Sequence, residues 1–197
     1  MLIKTLVVGQ IETNCYVVTD EDTLECVVID PGDESNVILD YLEDNHLKCR
    51  FVFLTHGHFD HTMAAAAVAE ETGAVICMHK KDTDATVQLA PFRFNPPEGS
   101  IFWSEGDVIQ VGGMEFRVLE TPGHTPGGVT LLCGEALFCG DTLFRGSCGR
   151  TDLPGGDVRV LEASLKKLRA LPGDYEVYPG HERSTTMEWE RRFNPYM

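Results

Sequence analysis

The stretch Thr55-His56-Gly57-His58-Phe59-Asp60-His61 constrains this chain more than any other segment. Three histidines and one aspartate fall within six residues. Imidazole nitrogens and carboxylate oxygens are the donors that suit zinc and other first-row transition metals. The apolar run at 50–54 reads as a short buried strand, and the alanine-rich run at 63–72 reads as a helix. The donors therefore sit on a turn leaving a strand end, where α/β sheets commonly place their chemistry. His56 and His58 alternate as on an extended chain and can point the same way. Asp60 and His61 are adjacent at the helix start and are expected to diverge. One metal cannot easily take all four, whereas two metals side by side can. The plainer reading is a polar loop with incidental histidines.

His-x-His-x-Asp-His after an apolar strand resembles the metallo-β-lactamase superfamily. The resemblance implies an α/β fold: a four-layered αβ/βα sandwich of two mixed β-sheets, helices on the outer faces, metals at one edge between the sheets. The remaining donors should then lie on later strand-end turns, and three such turns follow. They are Thr121-Pro122-Gly123-His124-Thr125-Pro126-Gly127, Phe138-Cys139-Gly140-Asp141-Thr142 and Tyr178-Pro179-Gly180-His181-Glu182. Each alone is ordinary; together and in this order they match the family over the whole chain. Carried over by position, His56, His58 and His124 look like the ligands of a first metal. Asp60, His61 and His181 look like those of a second, with Asp141 as the bridge. A carboxylate has two oxygens and can span two ions, which an imidazole cannot. The resemblance implies two divalent ions, with zinc first and iron or a mixed zinc/iron pair as alternatives. It also makes Asp60 and Asp141 the carboxylates nearest the chemistry. Asp30, in the strand-end turn Asp30-Pro31-Gly32-Asp33, either supports the site from behind, as in the family, or serves the turn alone.

Length and composition narrow the field. With 197 residues, 43% apolar, the chain reads as a single domain over 1–197 that can bury its own core. Sixteen basic against 31 acidic residues give a net charge of −15. Such a chain repels a phosphate backbone, which argues against nucleic-acid binding. No run approaches the ~20 apolar residues of a membrane span. The seven cysteines (15, 26, 49, 77, 133, 139 and 148) mostly lie in apolar runs without Cys-x-x-Cys spacing. They read as small buried hydrophobes, and with no signal-like N-terminus they point to a reducing, cytoplasmic setting. The oligomeric state is not legible.

Strands are expected at 2–8, 14–19, 24–29, 74–78, 101–103, 108–111, 114–119, 128–133, 136–139 and 175–178. Helices are expected at 35–45, with Ser35 as its cap, at 158–170 and at 183–193. His46 is assigned no role, and His79, at a strand end, is read as a non-ligand. Residues 90–99 (APFRFNPPEG) are either a linker or a flap bringing Phe92 or Phe94 over the pocket.

The segment Gly140 to Asp152 and the tail from Pro179 to Tyr196 are similar to the glyoxalase II group, the hydroxyacylglutathione hydrolases, in their short bacterial form. That implies hydrolysis of a thioester by a hydroxide bridging two metals, the thiolate leaving readily because a thiol pKa is ~8.5. The full-length members carry a C-terminal helical region that binds glutathione; this sequence reaches Met197 soon after His181 and is expected to lack it. Arg150 stands at the group's basic position and is the candidate for a substrate carboxylate, with an ion-pair role as the alternative. Asp152 stands where the group has Tyr. Cys148 is a candidate reactive thiol. Gly149-Arg150-Thr151-Asp152 also resembles the persulfide dioxygenases, which would hold one iron on His56, His124 and Asp141. A metal-binding protein without turnover is the non-enzymatic alternative.

Overall fold

The computed structural model describes residues 1–197. The first half builds a six-stranded sheet in chain order: β1 (Leu2–Val8), β2 (Thr13–Thr19), β3 (Glu25–Ile29), β4 (Lys48–Phe53), β5 (Val75–His79) and β6 (Ile101–Trp103). β1, β2 and β3 pair antiparallel, and β3 to β6 pair parallel. Parallel neighbours need crossovers. Helix α1 (Ser35–Asp44) makes the one from β3 to β4, and α2 (Phe59–Thr62) with α3 (Ala65–Thr72) the one from β4 to β5.

The second half supplies β7 (Val108–Val111), β8 (Met114–Glu120), β9 (Val129–Cys133) and β10 (Ala136–Gly140), then a small hairpin of β11 (Leu143–Phe144) and β12 (Ser147–Cys148). Helix α4 (Val158–Arg169), strands β13 (Glu176–Pro179) and β14 (Thr185–Thr186), and helix α5 (Met187–Phe193) follow. The second sheet runs β14-β13-β10-β9-β8-β7, with only β10/β13 parallel.

The period-two alternation of the strands explains the layering. In β2, Cys15 and Val17 face a core under α1 and α3, while Tyr16 and Val18 face the other sheet. In β10, Ala136 and Phe138 face the first sheet, while Leu137 and Cys139 face α4. Both strands are buried on both faces, as near-continuous apolar runs require. Between the sheets, Phe53 meets Trp103 and Phe116 edge-on, with ring centroids 5.2 and 5.3 Å apart. α4 buries Leu161, Leu165 and Leu168 at helical spacing. Asp157 caps it by accepting from the Arg159 and Val160 amides, and Lys166, Lys167 and Arg169 favour its C-terminal dipole. The result is two mixed sheets face to face with helices outside.

Several boundaries differ from expectation for local reasons. The helix after the histidine turn is broken into α2 and α3: the Ala64 amide bonds to the Pro31 carbonyl at 3.0 Å, and Thr62 Oγ1 donates back to His58 O. Ser35 is the first helical residue and not the cap; Glu34 holds the cap position with a left-handed φ of 50° and no side-chain bond to the helix. The last helix begins at Met187, because Thr185 and Thr186 pair with β13 and Thr186 Oγ1 caps the Trp189 amide.

Residues 90–99 are not a free linker, since both phenylalanines pack against the rest of the chain. Phe94 is buried in the core beneath the first sheet, held by its amide to Gln88 Oε1 at 2.8 Å. Phe92 lies half-exposed against Phe59, ring centroids 5.1 Å apart. No helix is long and apolar enough to cross a membrane. Six cysteines are buried and Cys148 is half-buried.

Candidate metal centre

The seven sequence-selected donors meet at one end of the two sheets. The first group is His56, His58 and His124. His58 Nδ1 lies 3.1 Å from His56 Nε2 and 2.8 Å from His124 Nε2. The second group is Asp60, His61 and His181. Asp60 Oδ2 stands 3.7 Å from His61 Nε2 and 3.3 Å from His181 Nε2, and the two imidazole nitrogens are 3.3 Å apart. Adjacent positions favour divergence of Asp60 and His61; their tips instead come within 3.7 Å, both beside His181. Asp141 lies between the groups: Oδ1 is 3.4 Å from His61 Nε2, and Oδ2 is 3.5 Å from His124 Nε2 and 3.6 Å from His181 Nε2.

Thr55 Oγ1 gives its only proton to Asp30 Oδ2 at 2.6 Å. His56 Nδ1, 3.2 Å from that oxygen, must therefore be the donor there. His61 Nδ1 donates to Asp30 Oδ2 at 3.0 Å, and His124 Nδ1 donates to the Arg150 carbonyl at 2.7 Å. In its neutral form each of these rings turns a lone pair inward on Nε2. A proton on His58 Nδ1 satisfies at most one of its two neighbours. Asp141 Oδ1 is buried without any hydrogen-bond partner, a costly state for a carboxylate. Gly180 keeps the space open, since a Cβ there would sit 2.2 Å from Asp141 Oδ1 and 2.6 Å from His61 Cε1. Inward lone pairs, an orphaned carboxylate oxygen and a cleared centre fit cations held by these residues.

The electrostatics agree. Burial, then the His124 charge, pushes His58 down to about 4. Burial and His61 push His56 below its usual value as well. Against burial, Asp141 and Asp30 hold His61 well above the ordinary histidine range. Against burial, His61 and His124 hold the Asp141 carboxyl well below the carboxylate range. The carboxylates draw positive charge into the site, and a metal competes with the proton for it.

Asp30 lies within 4.8 Å of the nitrogens of His56 and His61. Its oxygens, however, are taken by the Thr55 amide, the Thr55 hydroxyl and His61 Nδ1. It therefore orients His61 from behind, and its left-handed φ of 51° shows the turn bent to put it there.

The site opens into a cavity of about 670 Å³, with Ile11, Phe59, Leu89 and Phe144 on its apolar side and Glu12, Glu182 and Arg150 among its charged residues. The Arg150 guanidinium is already engaged by Asp152, Nε to Oδ1 and Nη2 to Oδ2, both at 2.7 Å. Burial raises the Cys148 thiol above its ordinary value, which disfavours the thiolate there. His79 takes no part: its Nε2 bonds Glu120 and its Nδ1 accepts from the Lys81 amide. Sequence reasoning missed Thr55, whose hydroxyl sets the His56 tautomer; its place directly before the motif was the available signal. It also missed Ile11, Glu12 and Glu182, which have no motif and reach the cavity only through the tertiary fold.

A model of the metallo-β-lactamase superfamily matches residues 8–181. The hydroxyacylglutathione hydrolase GloC of Haemophilus influenzae is 33% identical over 209 residues, covering 100% of this chain and 98% of that protein. Among solved structures, the BLEG-1 B3 metallo-beta-lactamase superposes with a TM-score of 0.90 at 32% identity, covering 99% of each chain. ETHE1 from Myxococcus xanthus gives 0.87 at 32% identity, over 99% of this chain and 84% of that one. TTHA1623 in a di-iron-bound form gives 0.84 at 36% identity, over 98% and 100%. Sheet order, the meeting of the strand-end donors and these matches lead to one conclusion: the chain belongs to the metallo-β-lactamase superfamily.

Proposed function

We propose that this chain is a metal-dependent hydrolase of thioesters, acting on hydroxyacylglutathione-like substrates. One observation carries the reading: two complete donor groups, with Asp141 between them, at the floor of an open cavity. The similarity to GloC supports the thioester class, and the similarity to the di-iron-bound TTHA1623 supports a pair of ions. His56, His58 and His124 would hold one ion, Asp60, His61 and His181 the other, and Asp141 both; zinc is the first candidate, with iron or a mixed pair next. When bound, such ions supply a water that ionises near neutral pH and a Lewis acid for the thioester carbonyl. The chain's own residues do the rest. Asp60 lines the cavity, and against burial His181 and His61 hold its carboxyl below the usual range, so it stays ionised as a donor for an ion. Ile11, Phe59, Leu89 and Phe144 give the acyl group an apolar wall. Arg150 would bind a substrate carboxylate only by releasing Asp152.

A second reading, the single-iron persulfide dioxygenase, draws on the similarity to ETHE1. It would leave the donor group of Asp60, His61 and His181 unused. Elemental analysis of the purified protein, paired with a lactoylglutathione assay, separates the readings. The expected result is about two metals per chain and thioester cleavage that a chelator abolishes. One iron per chain, oxygen uptake on glutathione persulfide and no thioester cleavage would establish the dioxygenase. Full metal loading without turnover on any substrate would establish a binding protein.

A further inference from the structure

The structure assigns Asp82 as the positioning residue of the three-histidine group. It belongs to the 3₁₀ turn Lys80–Thr83 that follows β5, and it is buried. Its Oδ2 accepts from the Gly57 amide at 2.9 Å and from Thr125 Oγ1 at 2.7 Å; its Oδ1 accepts from the Gly127 amide at 2.6 Å. Gly57 stands between His56 and His58, and Thr125 directly follows His124. One carboxylate thus clamps the two turns that carry all three imidazoles, although those turns leave different sheets. The chain has made room for it. A Cβ on Gly57 would lie 2.9 Å from Asp82 Cβ, and a Cβ on Gly127 would lie 2.6 Å from Asp82 Oδ1.

The second donor group has a separate support. Asp30 holds His61, and no Asp82 bond reaches Asp60, His61 or His181. Asp82 therefore serves the first group alone, whereas Asp30 reaches His61 directly and His56 only through Thr55. This assignment depends on the reading that the three histidines hold an ion. Removing a partner behind a ligating histidine typically costs about 10- to 100-fold in metal affinity. The effect here should be confined to one of two ions.

The test is Asp82→Asn, whose amide NH2 would face N–H and O–H donors that now meet only acceptor oxygens. Metal affinities are read by competition with a chromogenic zinc chelator, beside thermal melting of the metal-free protein. The expected result is one zinc weakened about 10- to 100-fold and the other within about threefold of the original protein, on the scale of that same range. Both affinities unchanged would overturn the assignment, as would both falling equally with the melting temperature, which marks a general structural role. If Asp82→Asn does not fold, Thr125→Val decides: it removes one bond to Oδ2 and keeps the carboxylate. Its expected effect is a several-fold loss at one ion, and unchanged affinity at both overturns the proposal. If the original protein binds no zinc at all, the metal reading itself has failed, which is a distinct result.

Discussion

A carboxylate oxygen buried among imidazoles without a hydrogen-bond partner is costly unless a positive charge shares the space. Asp141 is in that position, and its neighbours respond: His61 gains affinity for a proton and Asp141 loses it. Asp141→Asn halves the acceptor capacity at the point where both donor groups meet. The expected outcome is metal affinity reduced by more than the about 10- to 100-fold of an outer partner, and thioester hydrolysis lost with it. Inductively coupled plasma analysis and the lactoylglutathione assay check it; a fully loaded, active variant would contradict it. That most donors stand in Gly- or Pro-bearing turns after apolar strands was legible in the residues themselves; their convergence was legible only through the family resemblance. The roles of Thr55 and Asp82 were legible in neither. A threonine hydroxyl or a lone aspartate becomes a positioning group only through partners tens of residues away, such as Asp30 for Thr55 and Thr125 for Asp82.

At the scale of elements, the strands carry the donors and the helices hold the strands. Helix α4 packs Leu161, Leu165 and Leu168 onto the outer face of the second sheet, behind Leu137 and Cys139 of β10, the strand that leads to Asp141. Leu165→Ala should cost about 2–5 kcal/mol, measured by urea denaturation. It should leave zinc stoichiometry unchanged in the fraction that folds; a loss under about 1 kcal/mol would mean the site collapses without a cavity. The long elements were legible because their apolar periods are unambiguous. The two-residue strands β11, β12 and β14 were not, since they are too short to show a period and exist only through their pairing. The break between α2 and α3 was hidden for a related reason. The sequence there is a good helix former, and a tertiary bond from Ala64 to Pro31 overrides it.

The whole molecule behaves as two sheets pinned together at the end that bears the donors. The Val129 amide bonds the Thr55 carbonyl at 2.9 Å, Tyr16 Oη donates to the Pro179 carbonyl at 2.6 Å, and Asn14 Nδ2 donates to Pro179 and Glu182 carbonyls. Metal loading should therefore stabilise the molecule as a unit, by an amount that depends on pH. His61 and His181 have raised values, so without metal their charged forms stabilise the fold below the ordinary 6.5, and that contribution is lost as pH rises through the raised values. Metal needs the neutral rings. The increase in melting temperature on adding zinc should thus be larger at pH 8 than at pH 6 in differential scanning calorimetry. An increment independent of pH would count against these histidines as ligands.

By itself the sequence determined the alternation that makes each strand two-faced, hence two sheets with helices outside, and the turns that leave histidine and aspartate at strand ends. These are local properties, set by periods of 2 and 3.6 residues and by the backbone freedom of Gly and Pro. Only the tertiary structure decided which nitrogen of each ring faces inward, which carboxylates stand behind the rings, and which residues wall the cavity. Those depend on atoms brought within hydrogen-bonding range from opposite halves of the chain, a distance over which no local pattern carries information.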